Sequence, residues 1–167
     1  MPSALQPKLV LGIGLWSLMA ACAAGIPSQL AEQVSWNLSF IDIRQHPEAY
    51  RGHIVALGGI VTHVEAVDTG YRVIVSEVPF EPSGRYRPAV DQVPRGRFIL
   101  LIPRQALPSD LRSGAEVTVV GETVGASTWS GAAADESVPL VEERYVKIWG
   151  PSWWPRLQIG VWGGIGI

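Results

Sequence analysis

The chain of 167 residues lacks a second cysteine, because Cys22 is its only one. A lone thiol cannot form an intramolecular disulfide, so the fold must depend on its core. Charged side chains are also scarce, at 17% of the residues, and the formal net charge is −2. This balance gives no general attraction to nucleic acid or to anionic lipid, and we expect no nucleic-acid partner.

The sequence also lacks the residue spacings that metal and catalytic sites need. No two of His46, His53 and His63 stand at the i, i+4 spacing of a metal-binding helix. His63 and Glu65 would share one face of a strand and could hold a metal, but solvated histidines are the simpler interpretation. We therefore expect no metal site.

Catalytic motifs are absent as well. No Gly-x-Ser-x-Gly elbow occurs. Glycoside hydrolysis needs two carboxylates that face each other across a cleft. The sequence offers candidates without indicating how they pair: Glu77, Glu81, Glu142 and Glu143. We expect a protein without enzymatic activity, and hydrolysis of envelope glycan remains an alternative.

Residues 1–21 have the three parts of an export signal. Lys8 and the amino terminus supply positive charge, and Leu9 to Met19 supply an apolar stretch. Ala20 and Ala21 are the small residues that a signal peptidase requires. Because the apolar stretch is shorter than the about 20 residues that span a bilayer, we predict a signal peptide and not a membrane-spanning helix.

Cys22 follows this leader directly. The residues before it resemble a bacterial lipobox, whose usual form is Leu, two small residues and Cys, and we predict that signal peptidase recognises Leu18, Met19, Ala20 and Ala21. Met19 stands where Leu is commoner. Cys22 would then carry a diacylglycerol and an amide-linked acyl chain such as palmitate, and three chains anchor stably. We expect no other cofactor. A secreted protein with a chance cysteine is the alternative.

The location that these residues imply is the outer membrane. Ala23, and not Asp, follows the cysteine. In enteric-type sorting this implies transfer to the outer membrane, with the protein lipid-anchored on the periplasmic face. We divide the chain into a signal peptide (1–21), a lipidated tether (22–37), a β-barrel domain (38–150) and a tail rich in Trp and Gly (151–167).

The composition favours short strands and many turns, because the chain holds 18 Gly and 13 Pro. Five strands are predicted: Ile54 to Glu65, Tyr71 to Val78, Arg97 to Ile102, Glu116 to Val124 and Leu140 to Trp149. Gly58-Gly59 suggests a bulge or a bend in the first strand. Residues 125–131 are predicted as turns, and the Pro-rich loop from Pro79 to Gly96 as stiff and extended.

A short helix is predicted before the strands, from Phe40 to His46, with Ser39 as its N-cap and Pro47 after it. The predicted fold is all-β: a small five-stranded OB-like barrel with a short N-terminal helix and a Trp/Gly-rich C-terminal tail. A small sandwich is the alternative.

Seven segments, taken in order, resemble the Slp family, the starvation-inducible lipoproteins of the outer membrane. They are Ala20-Ala21-Cys22 with Ile26-Pro27, Tyr50-Arg51-Gly52, Leu57-Gly58-Gly59-Ile60-Val61, Glu77-Val78-Pro79-Phe80, Gly96-Arg97-Phe98, Val117-Thr118-Val119-Val120-Gly121 and Val146-Lys147-Ile148-Trp149. The resemblance implies an acylated, periplasm-facing protein with no assigned catalysis and a role in envelope maintenance or stress adaptation. The chain departs from the family at Ser137 to Leu140, where a Tyr-Pro pair is common.

Four arginines flank the Pro-rich loop and are candidates for anion binding: Arg85, Arg87, Arg95 and Arg97. Lipid headgroups and peptidoglycan carboxylates are the anions expected at this location. The alternative is that these arginines pair with Glu77, Glu81 and Asp91. Since OB-like barrels often bind oligosaccharides, an oligosaccharide- or anion-binding module is an alternative function.

The last candidate site is a group of tryptophans near the carboxyl end: Trp149, Trp153, Trp154 and Trp162. Trp favours membrane interfaces, because its ring is apolar and its N–H needs a polar partner. We predict that this group contacts the membrane or another envelope protein. A tail that folds over the barrel and caps its core is the alternative.

Overall fold

The computed structural model of the protein describes residues 25–130 and 135–150. Two short helices come first, α1 (Ser28–Ala31) and α2 (Phe40–Gln45). Five strands follow: β1 (Ile54–Val67), β2 (Gly70–Val78), β3 (Gly96–Pro103), β4 (Glu116–Ser130) and β5 (Asp135–Trp149). A 3-10 turn at Arg104–Ala106 comes between β3 and β4.

The five strands form a closed barrel in the order β1-β2-β3-β5-β4. Pairing of β1 with β4, from Ile54 opposite Glu122 to Ile60 opposite Glu116, completes the ring. All pairs are antiparallel except β3 with β5, which run parallel over Ile99–Leu101. The prediction of an all-β, small five-stranded barrel with a short N-terminal helix is confirmed.

The barrel core follows from alternation along the strands, because successive side chains of a strand point to opposite faces. Phe98, Leu100 and Ile102 of β3 are buried inside, as the sequence predicts. Facing strands complete this core with further apolar side chains: Val55, Leu57, Val61, Val73, Val75, Val117, Val119 and Val141.

Helix α2 covers one end of this core. Ser39 caps it, since its hydroxyl accepts from the Asp42 N–H while the Asp42 carboxylate accepts from the Ser39 N–H. The hydrogen bonds from Ser39 lower the pKa of Asp42. Phe40 and Ile43 are buried, and the Phe40 ring lies 6.3 Å from that of Phe98, near the start of β3. The predicted helix and its cap are confirmed.

The glycine pair of β1 serves close packing. A Cβ atom on Gly59 would lie 2.5 Å from the carbonyl oxygen of Ser76 on β2, so only glycine fits there without a shift. The bulge in β1 is at Thr62, where the register shifts between Val61 and His63. The bulge predicted for this strand therefore exists, but it lies beyond the glycines.

Strands β4 and β5 continue well past the predicted ends. Residues 125–130 pair with residues 135–140, so the turn predicted for residues 125–130 is wrong. Val138 at the base of this extension is buried, and it packs with Ile74 of β2 and Ile99 of β3 on the outside of the barrel. This second apolar cluster stabilises the extension, and its partners are distant in sequence.

The segment before α2 lies against the barrel. The Ser35 N–H donates to the Ile54 carbonyl at 2.8 Å, and the Tyr145 hydroxyl donates to the Gly25 carbonyl at 3.3 Å. Val34 is buried. From residue 25 onward, the segment assigned to the tether therefore contacts the barrel. Burial of the Val34 side chain stabilises this contact, because it removes apolar surface from water.

Candidate functional site

The Pro-rich loop between β2 and β3 folds back on itself. The Glu81 N–H donates to the Arg87 carbonyl at 2.7 Å, and the Ala89 N–H donates to the Pro79 carbonyl at 2.8 Å. The loop has no helix, which agrees with the prediction. It is folded like a hairpin, however, where the sequence predicted an extended segment. Tyr86 near its tip has φ of 57°, in the left-handed region that is strained for a bulky side chain.

The loop places aromatic rings on the outer face of β1, β4 and β5. The Tyr86 ring stacks on Trp36 with centroids 5.1 Å apart, and Phe80 meets Tyr86 edge-on at 5.7 Å. Phe80 lies directly over Gly58, where a Cβ atom would come within 2.9 Å of its ring. The hydroxyl of Thr118 on β4 donates a hydrogen bond to the Tyr86 carbonyl. The loop tip is thereby fixed to the barrel.

Arg87 is held by carboxylates of the chain. Its Nη2 lies 2.8 Å from Oε2 of Glu116, and its Nε lies 3.8 Å from Oε1 of Glu81. Its guanidinium carbon is 5.5 Å from the centre of the Trp149 ring, within the range of a cation–π interaction. These contacts join the loop to both β4 and β5.

Arg95 makes a two-pronged ion pair with a buried carboxylate. Its Nε donates to Glu77 Oε2 at 2.9 Å, and its Nη2 donates to Glu77 Oε1. The Glu77 side chain is only 1% exposed, while that of Arg95 is 37% exposed. The hydrogen bonds to Glu77 raise the pKa of Arg95. This pair fastens the end of the loop to β2.

The other two arginines have different surroundings. Arg97 on β3 donates to Glu136 on β5 at 3.1 Å, and Arg44 of α2 lies 3.8 Å from the same carboxylate. Arg85 is exposed, and no carboxylate of the described residues lies within 4.0 Å of its guanidinium. Three of the four candidate arginines thus contact carboxylates of the chain. Anion binding by this set stays a prediction.

A pocket of about 270 Å³ lies between the N-terminal segment and the Pro-rich loop. Its apolar lining includes Val34, Trp36, Phe40, Leu57 and Phe80. Its charged lining, within the described residues, is the Glu77–Arg95 pair. A hydrolytic site with two carboxylates facing across a cleft would require a second acidic side chain here.

The outer surface of β2 and β3, where OB-folds commonly bind ligands, is covered by the chain itself. Ile74 and Ile99 point outward there, yet both are buried beneath the β4–β5 extension. The ion pair between Arg97 and Glu136 lies along the same surface. The Arg97 side chain is paired there and is still 48% exposed.

Trp149 is the one candidate tryptophan inside the described part of the chain. Its indole N–H donates to Thr118 Oγ1 at 2.8 Å, and Lys147 Nζ lies 4.2 Å from its ring centre. Trp153, Trp154 and Trp162 lie outside the described residues. So do Cys22 and the predicted recognition residues before it, Leu18, Met19, Ala20 and Ala21.

The structure also bears on the remaining alternatives, a metal site at His63 and a membrane-spanning helix. His63 is exposed, and its ring centre is 6.0 Å from that of Trp129. Across residues 25–130 and 135–150, no three His, Cys, Asp or Glu side chains come together in a way that could hold a metal ion. No helix in that same part of the chain has the length and apolar character needed to cross a membrane.

Sequence reasoning missed Trp36 and Tyr86. Trp36 is 49% exposed and falls in the segment assigned to the tether. A tryptophan in a segment assigned as a tether was the available signal, because such a ring needs a packing partner. Tyr86 gave no signal, since its role depends on the fold of the loop.

The fold and this site define the class of protein: a small closed β-barrel whose N-terminal segment and long loop are fastened to one outer face. Comparison with known protein families matches residues 19–158 to the outer membrane lipoprotein Slp family. The chain therefore belongs to the Slp family of outer-membrane lipoproteins, which confirms the resemblance found in the sequence. The match includes Cys22 and the whole described barrel. The curated proteins yield no significant match to the chain.

Proposed function

We propose that the protein is anchored to the outer membrane by lipid on Cys22, with its barrel in the periplasm. Its role there is structural or binding, within envelope maintenance or stress adaptation, and not catalytic. The observation that carries this proposal is the family match, which begins at Met19 and so takes in the cysteine and the residues just before it.

The lipid explains how a domain of this kind stays at a membrane. A single acyl chain anchors a protein only marginally, whereas two signals anchor it stably. A diacylglycerol and an amide-linked chain on Cys22 would supply three.

The pocket supports a role other than catalysis. Glu77 is its one carboxylate among the described residues, and that carboxylate is occupied by Arg95. A general acid or base must reach the proton it transfers, and a carboxylate held in a two-pronged ion pair is poorly placed to do so.

Replacement of the cysteine tests the anchor. The Cys22→Ser protein should appear in the soluble periplasmic fraction or remain uncleaved, while the wild type fractionates with the outer membrane. Ala24→Ser is the matched control, because it makes a similar small change beside an intact Cys22. A cleaved Cys22→Ser protein that still fractionates with the outer membrane would contradict the proposal.

Binding of an oligosaccharide or a small anion is the second candidate function, and the pocket favours it. Trp36 and Phe80 offer rings for stacking, and Arg95 offers a partly exposed guanidinium. Thermal-shift assays with peptidoglycan fragments and with inorganic phosphate test this function. Stabilisation that disappears in Trp36→Leu would support it, and equal behaviour of the two proteins would oppose it.

A further inference from the structure

Both described ends of the chain lie on one face of the barrel. The Gly25 carbonyl accepts the hydrogen bond of Tyr145 on β5, and a Cβ atom on Gly25 would lie 3.9 Å from the Tyr86 ring. The Gly150 carbonyl accepts a hydrogen bond from Arg87 at 3.2 Å. Because Tyr86 and Arg87 are neighbours in the loop, the two ends meet the same surface.

The lipid on Cys22 constrains that surface, and this step rests on the proposed function. Gly25 lies three positions after Cys22, and a fully extended chain of three residues spans at most about 11 Å. Since the segment from Gly25 to Leu38 lies against the barrel, it offers no further slack. An acylated Cys22 therefore keeps this face close to the headgroups, whose layer is about 5–8 Å deep on each side of the bilayer.

The side chains on this face suit a headgroup layer. Trp36, Tyr86, Tyr145 and Trp149 are aromatic groups that also carry a polar atom, the type enriched where membranes meet water. Trp36 is half exposed, so its ring is available for contact. These four aromatic side chains are gathered around the two described chain ends.

This face also carries a cationic side chain that can meet lipid phosphates. Lys147 lies over the Trp149 ring, with its Nζ 4.2 Å from the ring centre, and no carboxylate of the described residues lies within 4.0 Å of its ammonium group. A lysine can extend its apolar stem along a surface and leave its charge at lipid phosphates. The carboxylates of Glu81 and Glu116 on the same face are paired with Arg87.

We propose that the outer face formed by Trp36, Tyr86, Tyr145, Lys147 and Trp149 lies against the phospholipid headgroups of the membrane in which Cys22 is anchored. The barrel then sits flat on the membrane, with β1, β4 and β5 beneath and the extension over β2 and β3 toward the periplasm. Gly150, the last described residue, then lies at the membrane surface.

Spin labels at matched positions test this orientation. The acylated mature protein is reconstituted into vesicles of phosphatidylethanolamine and phosphatidylglycerol, with a single added cysteine labelled at position 147 (Lys147→Cys) or at position 72 (Arg72→Cys). Arg72 is the control, because it lies on β2 and alternates with the inward-facing Tyr71 and Val73. The measured quantity is the collision rate of each label with a water-soluble nickel complex. It is compared between the acylated protein in vesicles and the Cys22→Ser protein in detergent-free solution, each carrying the same label.

Vesicles should reduce nickel access severalfold for the label at 147 and leave the label at 72 unchanged. If the protein floats with the vesicles but nickel access changes equally at both positions, the proposed orientation is wrong and the proposed anchor still holds. Protein that does not float would overturn the proposed anchor, and the orientation with it. Shielding of position 147 only after outer-membrane proteins are added would show a protein partner, and would also overturn the lipid assignment. Circular dichroism of each labelled protein confirms that it folds.

Discussion

The ion pair between Glu77 and Arg95 provides a quantitative test of how the loop is fastened to the barrel. Arg95→Met removes the cation and keeps most of the side-chain volume. In the described structure Arg95 is the side chain that donates to both oxygens of Glu77. The variant leaves a carboxylate that is 1% exposed without its partner.

The expected loss is about 3 kcal/mol of unfolding free energy, at the lower end of the range for breaking a buried pair, because Arg95 itself is partly exposed. Glu77→Gln should cost less, about 1 kcal/mol, since the remaining guanidinium can turn toward water. The double variant should cost less than the sum of the two, because their partners coincide.

Urea unfolding of the mature chain carrying Cys22→Ser measures these values, and the slope with urea concentration should stay unchanged. Arg97→Met is the matched control. Its partner Glu136 is 31% exposed, and such a surface pair contributes at most about 1 kcal/mol. If Arg95→Met costs no more than Arg97→Met, the buried pair does not hold the loop as described.

Three further changes test other parts of the structure. Gly59→Ala should lower stability by about 2 kcal/mol through overpacking against Ser76, and an unchanged urea midpoint would refute the close approach. Ser39→Ala should cost about 1 kcal/mol at neutral pH by removing the cap. Because Ser39 lowers the pKa of Asp42, this difference should shrink as pH falls through the lowered value, and a difference that is constant down to acid pH would contradict it. Burial raises the pKa of Glu143, so its charged form opposes folding as pH rises through that raised value. Glu143→Gln should therefore raise the melting temperature at pH 7 and not at pH 4. Equal effects at both pH values would argue against burial as the cause.

Much of the fold is predictable because its signals are local. The alternation of Phe98, Leu100 and Ile102 marks β3 and the side that faces inward. Ser39 followed by Asp42 marks the start of α2. Such patterns need no knowledge of partner strands, and the structure places these elements where the sequence indicates.

The missed parts of the fold depend on distant partners. Apart from Trp129, residues 125–130 are small, which indicates a turn, but Val138 on the paired strand is buried against Ile74 and Ile99. That burial favours a longer hairpin over the local preference for a turn. The shape of the Pro-rich loop is set in the same way, by Thr118 and Glu116 of β4.

The candidate site shows the same limit. The sequence suggested Glu77, Glu81 and Asp91 as partners for the arginines because they are near in the chain. Arg95 with Glu77 and Arg87 with Glu81 follow that expectation. The shorter contact of Arg87 reaches Glu116, 29 residues away, and Arg97 reaches Glu136, 39 residues away. Barrel closure brings these groups together, and no spacing rule indicates it.

The central claim is that a lipid on Cys22 holds this barrel at the outer membrane. Mass spectrometry of the amino-terminal peptide of the protein, purified from the outer-membrane fraction, tests it most directly. We expect a peptide that begins at Cys22 and carries the mass of a diacylglycerol and an amide-linked acyl chain. An unmodified cysteine, or a leader that is still attached or cut elsewhere, would contradict it.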